Sequence, residues 1–489
     1  MPLLSSLSSR SLTGIGIGGR TVPTSTPTNT VLADYNPTAD VWVATSLTGS
    51  ASSYSAWNGS SWDTKSYPQL YIRNPDDFRY YNGFYYVFVR TNSSVFTRDL
   101  YRSSDLNSWT LVLATGLSSN WEIHYNPSNG NFVVVGGGST TTAFTSTNGS
   151  TWTSVSLPAN ASNLRSIGES AWVGNSIVAT NYGSSTDPIY RSADNGANWT
   201  SVATNWATDS YAGRSFTQDM AYGNGIYVAF VGQGYNATSV SGNGITWSVP
   251  VTRSNVPAFG NLIYFSSIKN KFIMTSLTTN DLGVSDDGVN WTLVSTSSVV
   301  QRILEAKGRI YGYTGANTTI SDITDVIPNT LSAPALGAEY FGGYYMGLVY
   351  VGAATYRLVV APASTEVELR LKTTATADSG NASEQDGFAN TEAINDANHP
   401  AVQYVRSLTS GGFTDWYLPA YNEYVFVINP NHSNLPVAQR FSNRFYWGSY
   451  SGTSDGDQGR IFNPTVPSAG NTTKNNTGIW VRAVRRIPV

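Results

Sequence analysis

Short runs of β-branched and aromatic residues alternate with Gly, Asn, Ser and Thr over the first two thirds of the chain, and this pattern predicts many short strands. Three of the runs follow an Asn-Gly pair, which is typical of a tight hairpin turn, and a fourth follows an Asn-Lys pair. We expect each run to open a repeated unit. The predicted strands are 40–44, 82–89, 129–135, 175–179, 224–230, 271–274 and 308–313.

A tryptophan follows six of these seven runs. The indoles are Trp62, Trp109, Trp152, Trp199, Trp247 and Trp291, at intervals of 47, 43, 47, 48 and 44 residues. A period in the forties with several strands per unit is typical of a β-propeller. We therefore expect residues 34–328 to form a seven-bladed propeller that the last unit, which has no such Trp, closes. Six blades is the alternative, if a terminal unit is only a partial sheet.

Each of these tryptophans ends a short polar turn. Glycine stands three residues before Trp in five of the six copies, which suits a turn position with positive φ. These glycines are Gly59, Gly149, Gly196, Gly244 and Gly288. Aspartate stands five residues before Trp only at Asp194 and Asp286, where a carboxylate can bond the turn amides.

The complete copy, Ser192 to Trp199, resembles the Asp-box repeat of sialidases and related propellers. In that pattern, Ser-x-Asp-x-Gly-x-x-Trp, the indole covers the edge of a blade and fills the gap to its neighbour. We interpret all the residues of these turns as structural, including the six tryptophans, Asp194, Gly196, Asp286 and Gly288.

The repeat stops near Pro328, and residues 329–337 are predicted to form a linker. The pattern then changes to that of a small α+β domain over residues 338–489. We expect strands within 350–361 and 367–371. A helical pattern covers 391–408, although Pro400 interrupts it, and a second helix is predicted from Leu418 because the following proline suits a first helical turn.

Three ordered patches of the last domain carry a second resemblance. They are Gly411 to Pro419 with Glu423, then Phe445 to Ser449, and then Trp480 to Arg486. Together they are similar to a family of domains of unknown function related to the C-terminal domain of bacterial collagen-like adhesins, and the resemblance implies a C-type-lectin-like fold. Tyr417 and Gly448 replace an Arg and a Ser of the family pattern. We interpret Asp415, Trp416, Pro419 and Glu423 as structural.

The resemblance places ligand binding in the irregular segment between the second and third patches. Loops on a rigid scaffold often carry recognition, and aromatic, amide and carboxylate groups suit a glycan. The candidate ligand-binding residues are Tyr446, Trp447, Tyr450, Asp455, Asp457, Gln458, Arg460, Asn471, Lys474 and Asn475. We expect no cofactor, although Asp455 and Asp457 are also a candidate calcium site with fewer oxygens than calcium uses.

Composition narrows the function further. The chain of 489 residues has no cysteine and only three histidines, which excludes disulfides, thiolate sites and cysteine nucleophiles and disfavours a Ser-His-Asp triad. Charged residues are 12% and the net charge is −3, with no basic run, so no nucleic-acid partner is expected. No stretch is long and apolar enough for a membrane span. The N-terminus lacks the pattern of a secretory signal.

These features favour a phage tail-fibre or receptor-binding protein, assembled in the host cytoplasm and located in the virion tail. Residues 1–33 are then an extended arm that anchors the chain to other tail or baseplate proteins. The last domain binds a host-surface glycan or outer-membrane receptor, in several copies and in a trimer as one option. We expect no enzyme activity. The alternatives are a purely structural virion component and a sialidase-like glycosidase, which Arg73 in the sequence 71–75 faintly suggests.

Overall fold

The chain divides into two compact units, Met1–Leu331 and Ser332–Val489. The division falls inside the predicted linker 329–337. The structure is a computed structural model, and it describes residues 21–27, 30–46, 53–68, 78–90, 97–117, 120–137, 141–161, 164–165, 172–181, 189–204, 217–231, 236–257, 260–314, 319–329, 333–451, 456–466 and 468–489.

The described residues of the first unit form seven consecutive antiparallel sheets. Sheet 1 contains β1 (Thr30–Asn36), β2 (Val41–Ser46), β3 (Ser53–Trp57) and β4 (Trp62–Ser66). Sheet 2 contains β5 (Phe78–Tyr81), β6 (Phe84–Arg90), β7 (Arg98–Ser103) and β8 (Thr110–Leu113). Sheet 3 contains β9 (Asn120–Tyr125), β10 (Phe132–Gly137), β11 (Thr142–Ser146) and β12 (Thr153–Ser156). Sheet 4 contains β13 (Leu164–Arg165), β14 (Trp172–Val173), β15 (Ser176–Asn181), β16 (Ile189–Ser192) and β17 (Thr200–Ser201), and sheet 5 contains β18 (Thr217–Gly223), β19 (Ile226–Val231), β20 (Ala237–Ser241) and β21 (Val251–Thr252). Sheet 6 contains β22 (Gly260–Ser266), β23 (Lys271–Ser276), β24 (Asp281–Ser285) and β25 (Trp291–Ser295). Sheet 7 contains β26 (Arg302–Ala306), β27 (Arg309–Tyr313) and β28 (Ile320–Asp322).

The predicted strand of each unit is present, but it is not the first strand of its sheet. It is the strand after the first hairpin turn, which is often Asn-Gly. Asn82 and Gly83, both with positive φ, connect β5 to β6. The following strand is apolar on both faces because it lies in the interior of its sheet, and β23 is buried along its whole length. The first strands have a weaker apolar pattern, and this is why the sequence did not reveal them.

Neighbouring sheets lie side by side, and their first strands are in contact. Asp34 Oδ2 in β1 accepts a hydrogen bond from Tyr80 N in β5 at 2.8 Å, and Asp219 Oδ2 in β18 accepts one from Ile263 N in β22 at 3.0 Å. The first strand of sheet 7 contacts β1 again. Sheets that succeed one another in this way and return to the first form a β-propeller. The predicted mainly β fold with a propeller is confirmed.

The ring is closed by a segment that was predicted to belong to the anchoring arm. Ser25 forms an antiparallel bridge with Thr319, and Ile320 N donates to Thr24 O at 3.0 Å, so residues 21–27 lie alongside β28 of sheet 7. Trp62 Nε1 of sheet 1 donates to Ser25 O at 2.8 Å. Residues 21–27 and the start of β1 are thus part of the first unit, because their backbone groups find partners there. Residues 1–20 lie outside the described part.

The second unit combines two sheets with short helices. One sheet has the order β29 (Glu339–Tyr340), β30 (Gly343–Val351), β31 (Ala354–Val360) and β37 (Val484–Pro488), and the other has the order β32 (Val367–Glu368), β36 (Trp480–Val481), β33 (Tyr446–Trp447), β34 (Gln458–Asn463) and β35 (Ser468–Thr473). The helices are α1 (Gly387–Ala393), α2 (Pro400–Ser407) and a π-helical segment, Glu423–Ile428, that continues into α3 (Asn429–Asn431). Short 3₁₀ turns lie at Ala363–Thr365, Ser410–Gly412, His432–Asn434 and Val437–Gln439.

Two segments of this unit are each divided in two. The predicted helix 391–408 is two helices, because Pro400 has no N–H to continue the first one and instead begins α2. The third sequence patch, Trp480 to Arg486, is divided at Arg482, whose side chain is buried and donates through Nε to Ala361 O at 2.8 Å. Its two strands, β36 and β37, join different sheets. No helix among the described residues is long and apolar enough to cross a bilayer.

Candidate ligand-binding surface

The tryptophan turns of the first unit connect the third and fourth strands of their sheets, and their polar side chains bond the turn itself. In each turn an Asn or Asp Oδ1 accepts hydrogen bonds from amides two to four residues ahead. The accepting side chains are Asn58, Asp105, Asn148, Asp194, Asn243 and Asp287. These carboxylates and amides are therefore occupied by backbone.

The sixth turn differs from the prediction. Asp287 Oδ1 accepts from Val289 N at 2.9 Å and Asn290 N at 2.8 Å, whereas Asp286 pairs with Lys271 Nζ at 2.7 Å. The accepting residue precedes Trp by four positions in five turns and by five only in the fourth, which contains one additional residue. The residue directly before the glycine is the acceptor in four of the five turns that have this glycine, and the prediction missed it at Asp287 because it took its spacing from the longer fourth turn.

The glycine and tryptophan of these turns pack between sheets. A Cβ on Gly196 would lie 2.5 Å from Val133 Cγ2 of the preceding sheet, so only glycine fits there. Trp199 is 6% exposed, and its Nε1 donates to Gly196 O at 2.9 Å. Trp291 bonds Gly288 O in the same way at 3.0 Å. These indoles have no free face for a ligand.

The motif residues of the second unit also make contacts within the unit, and most of them are buried. Asp415 binds Arg485 with both carboxylate oxygens, at 2.8 and 3.0 Å, and the guanidinium lies 3.7 Å from the centre of the Phe413 ring. Trp416 is fully buried. Pro419 O accepts a hydrogen bond from Ser449 N at 2.9 Å, which joins the first patch to the second.

Glu423 closes the turn before the π-helical segment. Its Oε2 accepts from Ala420 N at 2.8 Å, and its Oε1 accepts from Tyr417 Oη at 2.7 Å. Burial raises the pKa of Glu423 to about 7. Tyr417 therefore supplies a neutral donor to a carboxylate that is deeply buried.

Three of the predicted ligand-binding residues are buried and cannot contact a ligand. Tyr446 and Trp447 are 1% and 0% exposed, because β33 is the central strand of its sheet. Tyr446 Oη donates to Glu366 Oε2 at 3.1 Å, and Trp447 Nε1 donates to Leu369 O at 2.8 Å. Lys474 is also buried, and its ammonium group pairs with Asp378 Oδ2 at 2.9 Å.

The other predicted residues are at least partly exposed, apart from Asp455, which lies outside the described residues. Arg460 and Asn471 are directly opposite each other on β34 and β35, and Arg460 Nη1 donates to Asn471 Oδ1 at 3.0 Å. Gln458 is on the same face of β34, two residues before Arg460, and Asp457 precedes it. Asn475 is exposed beyond the end of β35.

Two tyrosines complete this region. Arg460 N donates to Tyr450 O at 3.2 Å, which keeps the chain after β33 beside β34. The Arg460 guanidinium lies 4.9 Å from the centre of the Tyr421 ring. We define the hairpin surface as Tyr421, Tyr450, Asp457, Gln458, Arg460 and Asn471. The sequence analysis missed Tyr421, although its place just after the Leu-Pro-Ala end of the first patch was a usable signal.

The hairpin surface presents hydrogen-bonding groups on a fixed frame. Arg460 and Gln458 lie within β34, whose opposite face packs through Gly459 against Leu371 and Trp447. Among the residues that the structure describes, Arg460 has no carboxylate partner. Its side chain is half-buried, and its Nε is buried without a hydrogen-bond partner. Guanidinium, amide and carboxylate groups held in this way suit a ligand rich in hydroxyl or carboxylate oxygens.

Comparisons with known proteins give distant structural similarities. No protein-family model and no curated protein matches the chain. Similar solved structures include virginiamycin B lyase from Staphylococcus aureus, at 12% identity over 61% of this chain and 97% of that one with a TM-score of 0.45. YCF48 bound to a D1 peptide has 14% identity over 65% and 100%, with a TM-score of 0.41. An ancestral GH74 enzyme has 12% identity over 69% and 53%, with a TM-score of 0.43. All three are β-propeller proteins.

Proposed function

We propose that this chain is a component of a phage tail or fibre that recognises the host surface, and that it binds a cell-surface glycan through the second unit. In this proposal the first unit is a seven-bladed propeller that serves as spacer and platform. The second unit is a C-type-lectin-like tip, and residues 1–20 attach the chain to other tail proteins. The chain acts by binding and catalyses no reaction.

The observation that carries the proposal is the contrast between the hairpin surface and the motif residues around it. Trp416, Tyr446 and Trp447 are buried and build the domain, whereas Arg460 is half-buried and Asn471 is exposed on paired strands. Side chains fixed by a rigid sheet lose little entropy on binding, which favours recognition of a polar ligand. Several copies in one particle would add avidity to weak single contacts.

Binding of the full chain to a glycan array and to host cells tests this function. Arg460→Ala removes the only cation of the hairpin surface, and we expect roughly a tenfold loss of glycan binding, since hydrogen bonds to charged groups are worth about 1.5–3 kcal/mol. Asn471→Ala should have a smaller effect, because it removes an amide and leaves the guanidinium in place.

Arg370→Ala is the matched control. Arg370 is an exposed arginine of the same unit, and its backbone carbonyl, which bonds Ala401 N, is unaffected by the substitution. We expect this variant to bind as the unmodified chain does. Equal loss in both arginine variants would indicate a general charge effect and would contradict a site at Arg460, and absence of any glycan or host-cell binding by the unmodified chain would contradict the proposed function itself.

A further inference from the structure

The ammonium group of Lys474 lies in a cage of oxygen atoms. No part of the side chain is exposed, and Gly456 O, Asp378 Oδ2 and Thr376 O lie 2.8, 2.9 and 3.3 Å from Nζ. One carboxylate and two backbone carbonyls are the kind of ligands that proteins give to a hard cation such as calcium. Here the cation is the ammonium group of Lys474 itself.

We propose that the ammonium group of Lys474 is a cation tethered to the chain. It takes the role that a bound metal ion would have and holds the start of the hairpin surface in position. Lys474 is thus a positioning residue, and the consequence for ligand binding rests on the function proposed above. The anchored residues are Gly456 and Asp457, which lead directly into Gln458 and Arg460.

The backbone of Lys474 reinforces this anchor. Lys474 N donates to Asp457 O at 3.0 Å, and Lys372 N donates to Lys474 O at the same distance. Lys474 therefore holds residues 456–457 through both its ammonium group and its amide. Loss of the ammonium would remove this donor from the Gly456 carbonyl and would leave the buried Asp378 without one of its two lysine partners, which is costly.

The charge of Lys474 is balanced by a buried carboxylate. Burial would raise the pKa of Asp378, but hydrogen bonds from Lys372 and Lys474 hold it below its ordinary value. His399 faces Asp378 through Nε2 at 3.0 Å and Asp396 through Nδ1 at 2.9 Å. Asp378 thus stays ionised, and the cage keeps its negative charge for the ammonium.

Of the candidate calcium site, Asp455 lies outside the described residues, and Asp457 follows Gly456 directly. The Gly456 carbonyl already accepts from Lys474 Nζ at 2.8 Å. A calcium ion that took this carbonyl at about 2.3–2.6 Å would lie against the ammonium, and two cations at one oxygen repel each other. The backbone carbonyls of Gly456 and Asp457 are both bonded by Lys474.

Hydrogen exchange of the full chain, compared in excess EDTA and in millimolar calcium chloride, tests the proposal without any variant. We expect exchange of peptides that cover 456–460 to be identical in the two conditions, and any glycan binding to persist in EDTA. Calcium-dependent protection of 456–460 that EDTA abolishes would overturn the proposal. This readout does not need a glycan, so it distinguishes failure of the anchor from failure of the proposed function.

Lys474→Ala tests the lysine itself. We expect roughly tenfold faster exchange at 456–458, with partial restoration by methylammonium, which can enter the space left by the side chain. Lys372→Ala is the matched control, because Lys372 Nζ shares Asp378 and Thr376 O with Lys474 and bonds Ala377 O, whereas its described bonds do not include Gly456 O. It should leave 456–458 protected.

Unchanged protection of 456–458 in Lys474→Ala would overturn the proposal, and so would equal loss in both lysine variants. If Lys474→Ala does not fold, the comparison in EDTA and calcium still decides.

Discussion

The tryptophan turns of the first unit and the buried arginines of the second unit satisfy their polar side chains over different distances along the chain. In the first unit, Asp194 and Asp287 bond amides of their own turns, within four residues. In the second unit, Arg482 pairs with Glu366 across 116 residues and Arg486 pairs with Asp386 across 100. A local arrangement can be repeated in six turns of similar sequence, whereas a long-range pair depends on one particular fold. The tryptophan turns of the first unit therefore share a repeated local sequence motif, whereas the arginine pairs of the second unit are individual long-range contacts.

The largest expected difference comes from breaking one long-range pair. Arg482 has none of its side chain exposed, and its Nη1 lies 3.1 Å from Glu366 Oε1. Arg482→Met leaves that carboxylate nearly buried without its partner, and we expect the second unit to lose about 3–5 kcal/mol of stability. Chemical denaturation monitored by hydrogen exchange in each unit measures this.

The control for that variant is an exposed ion pair of the first unit. Arg309, which pairs with Asp322 and Asp325 at the surface, is replaced by alanine. Exposed pairs contribute little because water screens them, so the stability of the first unit should hardly change. A similar loss in both variants would remove the distinction between the two units.

The second expected difference is in pH dependence. The pKa of Glu423 is raised by burial from 4.5 to about 7, so the folded chain binds more protons than the unfolded chain between these values. The contribution of Glu423 to stability is complete below pH 4.5 and is lost as the pH rises through 7. A shift of this size corresponds to about 3 kcal/mol. Denaturation of the second unit between pH 5 and 8 measures it, and Glu423→Gln should abolish the dependence.

The turn around Asp105 in the first unit should respond in the opposite direction. Backbone amides of Ser108 and Asn107 hold the pKa of Asp105 below its ordinary value of 3.8. Its contribution is therefore present above that value and is lost only as the pH falls below it. Between pH 5 and 8 the turn around Asp105 should not change. Parallel pH profiles in the two units would contradict this assignment.

The smallest expected difference is between two variants of one turn, and it tests whether the turn depends on the charge of its acceptor or on the hydrogen bonds that the acceptor receives. Asp287→Ala removes the acceptor of two turn amides and should cost the first unit about 1–2 kcal/mol. Asp287→Asn should cost less, because Asn148 and Asn243 already fill the equivalent position and accept the equivalent bonds. Thermal unfolding of the two variants gives the ranking. A larger loss for the asparagine variant would show that the turn depends on charge.

The same contrast explains what sequence could predict. The period of the tryptophans and the Asn-Gly pairs depends on local geometry, so the mainly β class, the propeller and the second strand of each sheet could be predicted. The burial of Tyr446, Trp447 and Lys474 could not, because it depends on strands and a carboxylate that lie far away along the chain. A lysine between asparagines and threonines has the pattern of an exposed loop. The burial of Lys474 becomes apparent only from the position of Asp378 in the folded chain.

The segment that closes the ring has a consequence for synthesis on the ribosome. Residues 21–27 emerge early, and Trp57 and Trp62 can hold them on the edge of the first sheet, since their indoles donate to Thr21 O and Ser25 O. The partner strand, β28, emerges only after almost the whole first unit has been translated. In the nascent chain, residues 21–27 are therefore held on sheet 1, which is made first, until sheet 7 has been translated. A nascent chain stalled before Ile320 has left the exit tunnel should leave this segment open to proteases and chaperones.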